Sequence, residues 1–92
     1  MKTAYIKYLG ELRTAATHIR SGSEIITDAP VDNHGKGEAF SPTDLVSSAL
    51  GSCMVTIMGI VAEREGESLE GLSWEVTKVM QASPRKIQEI VI

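Results

Sequence analysis

The stretch from Ser41 to Val61 constrains this chain more than any other, because it opens like a helix and stays mostly apolar for about five turns. Ser41 is a residue type that caps free backbone amides. Pro42 is pre-set for the first helical position, and Asp44 stands three residues after the cap. No proline interrupts the run from Thr43 to Arg64, and Gly66 is a natural stop. The pattern predicts a helix from Pro42 to about Arg64, roughly 33 Å long, which is about the width of a domain this size. Such a helix is the central element of whatever forms around it.

Short segments flank it. Thr3 to Leu9, Arg13 to Ile19 and Glu24 to Thr27 read as strands, with turns at Gly10-Glu11 and Ser21-Gly22-Ser23. Turns this short favour an antiparallel meander. Asp28 to Phe40 is a loop, with Pro30, Asp32, Asn33, Gly35 and Gly37 supplying turn chemistry. Beyond the helix, Trp74 to Met80 alternates, with Trp74, Val76 and Lys78 on one face. Arg85 to Ile92 alternates likewise and stops in mid-pattern, which suggests a fold completed by further residues or by another chain. Taken together these elements make an α+β fold.

The chain has 92 residues, so residues 1–92 are expected to form a single domain, incomplete at its C-terminal end. The net charge of −3 offers no basic footprint for nucleic acid. Leu45 to Val61 falls slightly short of a membrane span and is interrupted by Ser47, Ser48, Ser52 and Thr56, so a buried soluble helix is expected. Met1 to Gly10 has no signal-peptide pattern, and a single cysteine points to a reducing, cytoplasmic compartment. His18 and His34 sit on different elements without metal-ligand spacing, so neither a metal nor another cofactor is expected.

Cys53, the only cysteine, lies near the middle of the helix. Leu45, Ala49, Cys53 and Ile57 share one face. Ser48, Gly51, Ser52, Val55 and Gly59 form a seam of small residues on the other, suited to helix–helix packing and to a dimer interface. Cys53 has two readings: an inert core thiol, or a nucleophile. The helix dipole fades within the first turn, so a reactive Cys53 requires a cation from elsewhere: Arg13, Arg20 or Lys36. Arginine suits that task best, since it stays charged and accepts a carboxylate clamp. Asp44 has two readings as well, as a helix cap or as that clamp.

Ser41-Pro42-Thr43-Asp44-Leu45 followed by Ala49-Leu50-Gly51-Ser52-Cys53-Met54 resembles the core helix of the OsmC/Ohr family, the osmotically inducible and organic hydroperoxide resistance proteins. Arg13, Ser21-Gly22, Asp28-Ala29-Pro30, Gly71 to Met80 and Pro84-Arg85-Lys86-Ile87 fit in order. The resemblance implies an intertwined homodimer with active sites at the subunit interface, and a thiol peroxidase acting on organic hydroperoxides. It places the peroxidatic cysteine on Cys53 and the activating arginine on Arg13. The family carboxylate would fall on Thr43, with Asp44 adjacent. The second family cysteine lies downstream of Ile92, so an external thiol reductant is implied. The rival expectation is a non-catalytic dimeric binding or assembly module.

Overall fold

The computed structural model describes residues 1–92, which fall into two compact units, Met1–Pro42 and Thr43–Ile92. In the first, β1 (Ala4–Gly10), β2 (Arg13–His18) and β3 (Glu24–Asp28) form an antiparallel sheet in the order β1-β2-β3, the meander expected. The β1–β2 turn is shifted by one residue from its sequence assignment. Gly10 pairs with Arg13, and Glu11 and Leu12 form the two-residue loop at φ 53° and 62°. Both are left-handed, as a hairpin turn of this length requires. The Leu12 amide donates to the Tyr8 hydroxyl (3.1 Å), and the Leu12 carbonyl accepts from the Ala29 amide (3.0 Å).

The Asp28–Phe40 loop is built around a short 3₁₀ turn at Val31–Asn33. It folds back on itself through Gly37 N–H to Ala29 O (3.2 Å) and returns to the sheet through Asp28 N–H to Phe40 O (3.1 Å). At Gly35 the chain passes so close to Ala29 that a Cβ would collide with the Ala29 carbonyl, so only glycine fits.

The second unit holds α1 (Pro42–Arg64), β4 (Thr77–Ala82) and β5 (Arg85–Val91). The helix has the span expected. It closes with Gly66 at φ 73° and the Glu67 amide donating to the Ala62 carbonyl at 2.8 Å, a left-handed helix stop. β4 and β5 pair antiparallel around a turn with a cis Ser83–Pro84 peptide, and their register shifts between Val79 and Met80. The strand begins at Thr77 rather than Trp74, because the ladder starts with Thr77 opposite Val91. The alternation read from the sequence persists all the same: Trp74, Val76 and Lys78 are half-buried, while Glu75, Thr77 and Val79 are exposed.

The expectation of a buried helix fails within this chain. No hydrophobic residue is buried, and the buried positions of α1 are Ser47 and Gly51. Of the expected small-residue seam, Ser48, Gly51 and Val55 are covered, whereas Ser52 is exposed and a Cβ on Gly59 would meet nothing within 4 Å; Val46, Leu50, Met54, Ile57 and Val61 face outward. Gly51 meets Trp74, Val76 and Ile92 rather than another helix. By length and composition α1 would suffice to cross a membrane.

Candidate active site

Arg13 opens β2 and Asp28 closes β3, and the antiparallel register sets them directly opposite one another. Their side chains join in a two-pronged pair: Arg13 Nε donates to Asp28 Oδ1 at 2.7 Å and Nη2 donates to Oδ2 at 2.8 Å. Nη2 also donates to Glu38 Oε1 at 2.9 Å, and the Glu38 amide donates to Asp28 Oδ2 at 3.1 Å. Charge-assisted bonds of this fork geometry are among the strongest a side chain makes. Asp28 is 1% exposed and Glu38 66%. The hydrogen bonds from Arg13 hold the Asp28 carboxyl below the usual carboxylate range, and Asp28 in turn raises the Arg13 guanidinium above its ordinary value. All of Arg13's bonds run through Nε and Nη2, which leaves the two Nη1 donors unused.

Lys36 pairs with Glu11 at 2.5 Å, which lowers the Glu11 carboxyl and raises the Lys36 ammonium. Arg20 lies in the β2–β3 turn and is exposed. His18 Nδ1 lies 2.6 Å from the Ser21 hydroxyl in the same turn.

In the other unit, Lys78 of β4 reaches the first turn of α1. Its Nζ lies 2.8 Å from Asp44 Oδ1 and donates to Thr43 Oγ1 at 2.7 Å. Asp44 therefore shares an ion pair with a lysine, and the carboxylates on Arg13 are those of Asp28 and Glu38. Sequence reasoning missed Asp28, Glu38 and Lys78. Counting symmetrically from the Ser21-Gly22 turn would set Arg13 against Pro30; the ladder is centred one residue earlier, between Arg20 and Ser21, and that register brings Asp28 opposite.

Cys53 is exposed on the outward side of α1, beside Leu50, Met54 and Ile57. The inert-core reading of this thiol thus has no core within the chain to rest on.

No curated protein matches the chain. A crystal structure from Psychrobacter arcticus 273-4, of a candidate osmotic stress induced and detoxification response protein, is 57% identical with a TM-score of 0.95. The match covers 98% of this chain and 66% of that one, so the chain spans just under two thirds of its relative's length. The family described as OsmC-like protein matches residues 35–92, which include α1, Cys53 and the β4–β5 hairpin. Residues 35–92 are more than half of the chain, and on that match it belongs to the OsmC-like protein family.

Proposed function

We propose that this chain carries the nucleophilic centre of a thiol peroxidase that reduces organic hydroperoxides, with Cys53 as nucleophile and Arg13 as the cation that favours its thiolate. Membership of the OsmC-like family and the osmotic stress and detoxification relative support a stress-response role. The place of Cys53 on the helix that the family model matches, on an apolar side with Leu50, Met54 and Ile57 that the single chain leaves uncovered, is the observation that carries the finer reading. The thiolate attacks the distal peroxide oxygen. An S–O bond forms, the O–O bond breaks, and the leaving alkoxide takes a proton to depart as an alcohol. The resulting sulfenic acid is returned to the thiol by an external dithiol, with loss of water. Asp44, held by Lys78, contributes by fixing the first turn of the helix that bears Cys53.

Cumene hydroperoxide consumption in the presence of a dithiol tests this reading. Activity is expected from the native chain and none from Cys53→Ser; full activity in the variant would refute the assignment.

The active unit in this proposal is a cytoplasmic homodimer. Family membership supports a soluble protein, so the outward apolar side of α1 is matched to a protein partner rather than to lipid. A second reading, a non-catalytic dimeric module, is favoured by the two carboxylates that already answer the charge of Arg13. Alkylation of Cys53 across pH separates the two, because a thiol titrating at or above about 8.5 favours the module.

A further inference from the structure

We propose that Asp28 is a positioning residue for Arg13, fixing its guanidinium by the Nε/Nη2 edge so that the Nη1 edge is the one presented to the reacting sulfur or peroxide oxygen. The proposal rests on the thiolate reading and deepens it. Two carboxylates touch Arg13, and they are not equivalent. Asp28 is buried, sits at a fixed cross-strand register and accepts two parallel bonds at 2.7 and 2.8 Å. Glu38 is exposed and accepts one bond at 2.9 Å. A single bond permits the guanidinium to swivel, while two parallel ones set its plane. The backbone around Asp28 is tied as well, by its amide to the Phe40 carbonyl and by the Glu38 amide on Oδ2. At the start of the core helix, where the resemblance would set the clamping carboxylate, Thr43 presents a hydroxyl that accepts from Lys78. The orienting role therefore falls to the end of β3.

The sign of a mutational effect separates positioning from plain charge. Removing a carboxylate beside Arg13 strengthens the positive field and, by charge alone, favours a thiolate. Glu38→Gln does only that, and its amide oxygen still accepts from Nη2. Asp28→Asn also loses a negative charge, but it turns an NH₂ toward one of the two Arg13 donors and breaks the fork.

The experiment is the rate of Cys53 alkylation by iodoacetamide from pH 5 to 10, on the full chain with its fold checked by circular dichroism. Relative to the native chain at pH 7, Arg13→Ala is expected to be severalfold slower, because loss of the nearby cation disfavours the thiolate. Glu38→Gln is expected to be as fast or faster, and Asp28→Asn slower than native by a similar factor to Arg13→Ala. A rate for Asp28→Asn equal to or above native, with Arg13→Ala slow, overturns the positioning role and leaves the thiolate reading standing. An unchanged rate in Arg13→Ala overturns both. Should Asp28→Asn fail to fold, Arg13→Lys decides, since it keeps the charge but cannot form the fork. A slow Arg13→Lys supports positioning, and a native rate overturns it.

Discussion

Gly51 of α1 and Val76 meet so closely that a Cβ added to the glycine would stand 3.0 Å from Val76 Cγ2. Trp74 Nε1 and the Ile92 side chain lie just beyond, at 3.7 and 3.9 Å from the same point. The helix backbone itself is thus the packing surface, which explains why Ser48, Gly51 and Val55 are covered and the large apolar side is not.

Gly51→Ala sets two effects against each other. Alanine gains about 1 kcal/mol in helix propensity, and the tight Val76 contact offsets it. We expect a change within about 0.5 kcal/mol. Gly51→Val has no such balance, since a branched side chain meets Trp74 and Val76 directly. It is expected to destabilise by roughly 1–3 kcal/mol. Urea titration of both variants, followed by Trp74 fluorescence, checks the pair; a valine variant as stable as native would contradict the packing.

The Arg13–Asp28 pair predicts an acid-side loss of stability. Arg13 hydrogen bonds lower the Asp28 carboxyl in the folded chain. A carboxyl whose folded value lies below its unfolded value of about 3.9 adds stability that is fully present above that pH. The contribution is lost as pH falls through the unfolded value toward the folded one. Melting temperatures from pH 7 down to 2.5 should therefore fall more steeply below about pH 4 in the native chain than in Asp28→Asn. The two curves are expected to converge at the acid end, and parallel curves would argue against the pair.

Much of this arrangement is legible in the sequence. The helix bounds follow from Ser41-Pro42 and Gly66, and the meander follows from its two short turns. Three things were not legible, each for a physical reason. The turn carries Glu11 and Leu12 at positive φ without glycine, so turn composition pointed one residue too early. The start of β4 depends on where β5 offers a hydrogen-bonding partner, and alternation alone does not carry that information. The clamp on Arg13 comes from cross-strand register and from a loop residue ten positions further on, whereas sequence reasoning looked for it on the helix that bears the thiol.

The β1–β2 turn is open to improvement. Leu12 stands at φ 62°, a left-handed conformation costing a side-chain-bearing residue roughly 1–2 kcal/mol. Its side chain is about half exposed, so little packing is lost with it. Leu12→Gly is expected to stabilise the chain by up to about 1 kcal/mol, part of the relief being returned as glycine's larger unfolded-state entropy. Thermal melts compare it with native; a clear fall in melting temperature would mean that the Leu12 side chain contributes more than the turn geometry costs.

The outward side of α1 gives the sharpest test of the assembly. Leu50, Met54, Ile57 and Val61 recur at helical spacing, and all are exposed in the single chain. An isolated chain would lose little by a polar substitution there, because Ile57 is already 56% in solvent. A dimer that covers this side would lose the burial of an isoleucine, roughly 1.5–3 kcal/mol in each subunit, together with the cost of desolvating the new charge. Light scattering at micromolar concentration is expected to report about twice 9.9 kDa for the native chain and a substantial monomer fraction for Ile57→Glu. Monomers in both samples would refute the dimer. Dimers of equal strength in both would leave the assembly in place while excluding this side of α1 from its interface.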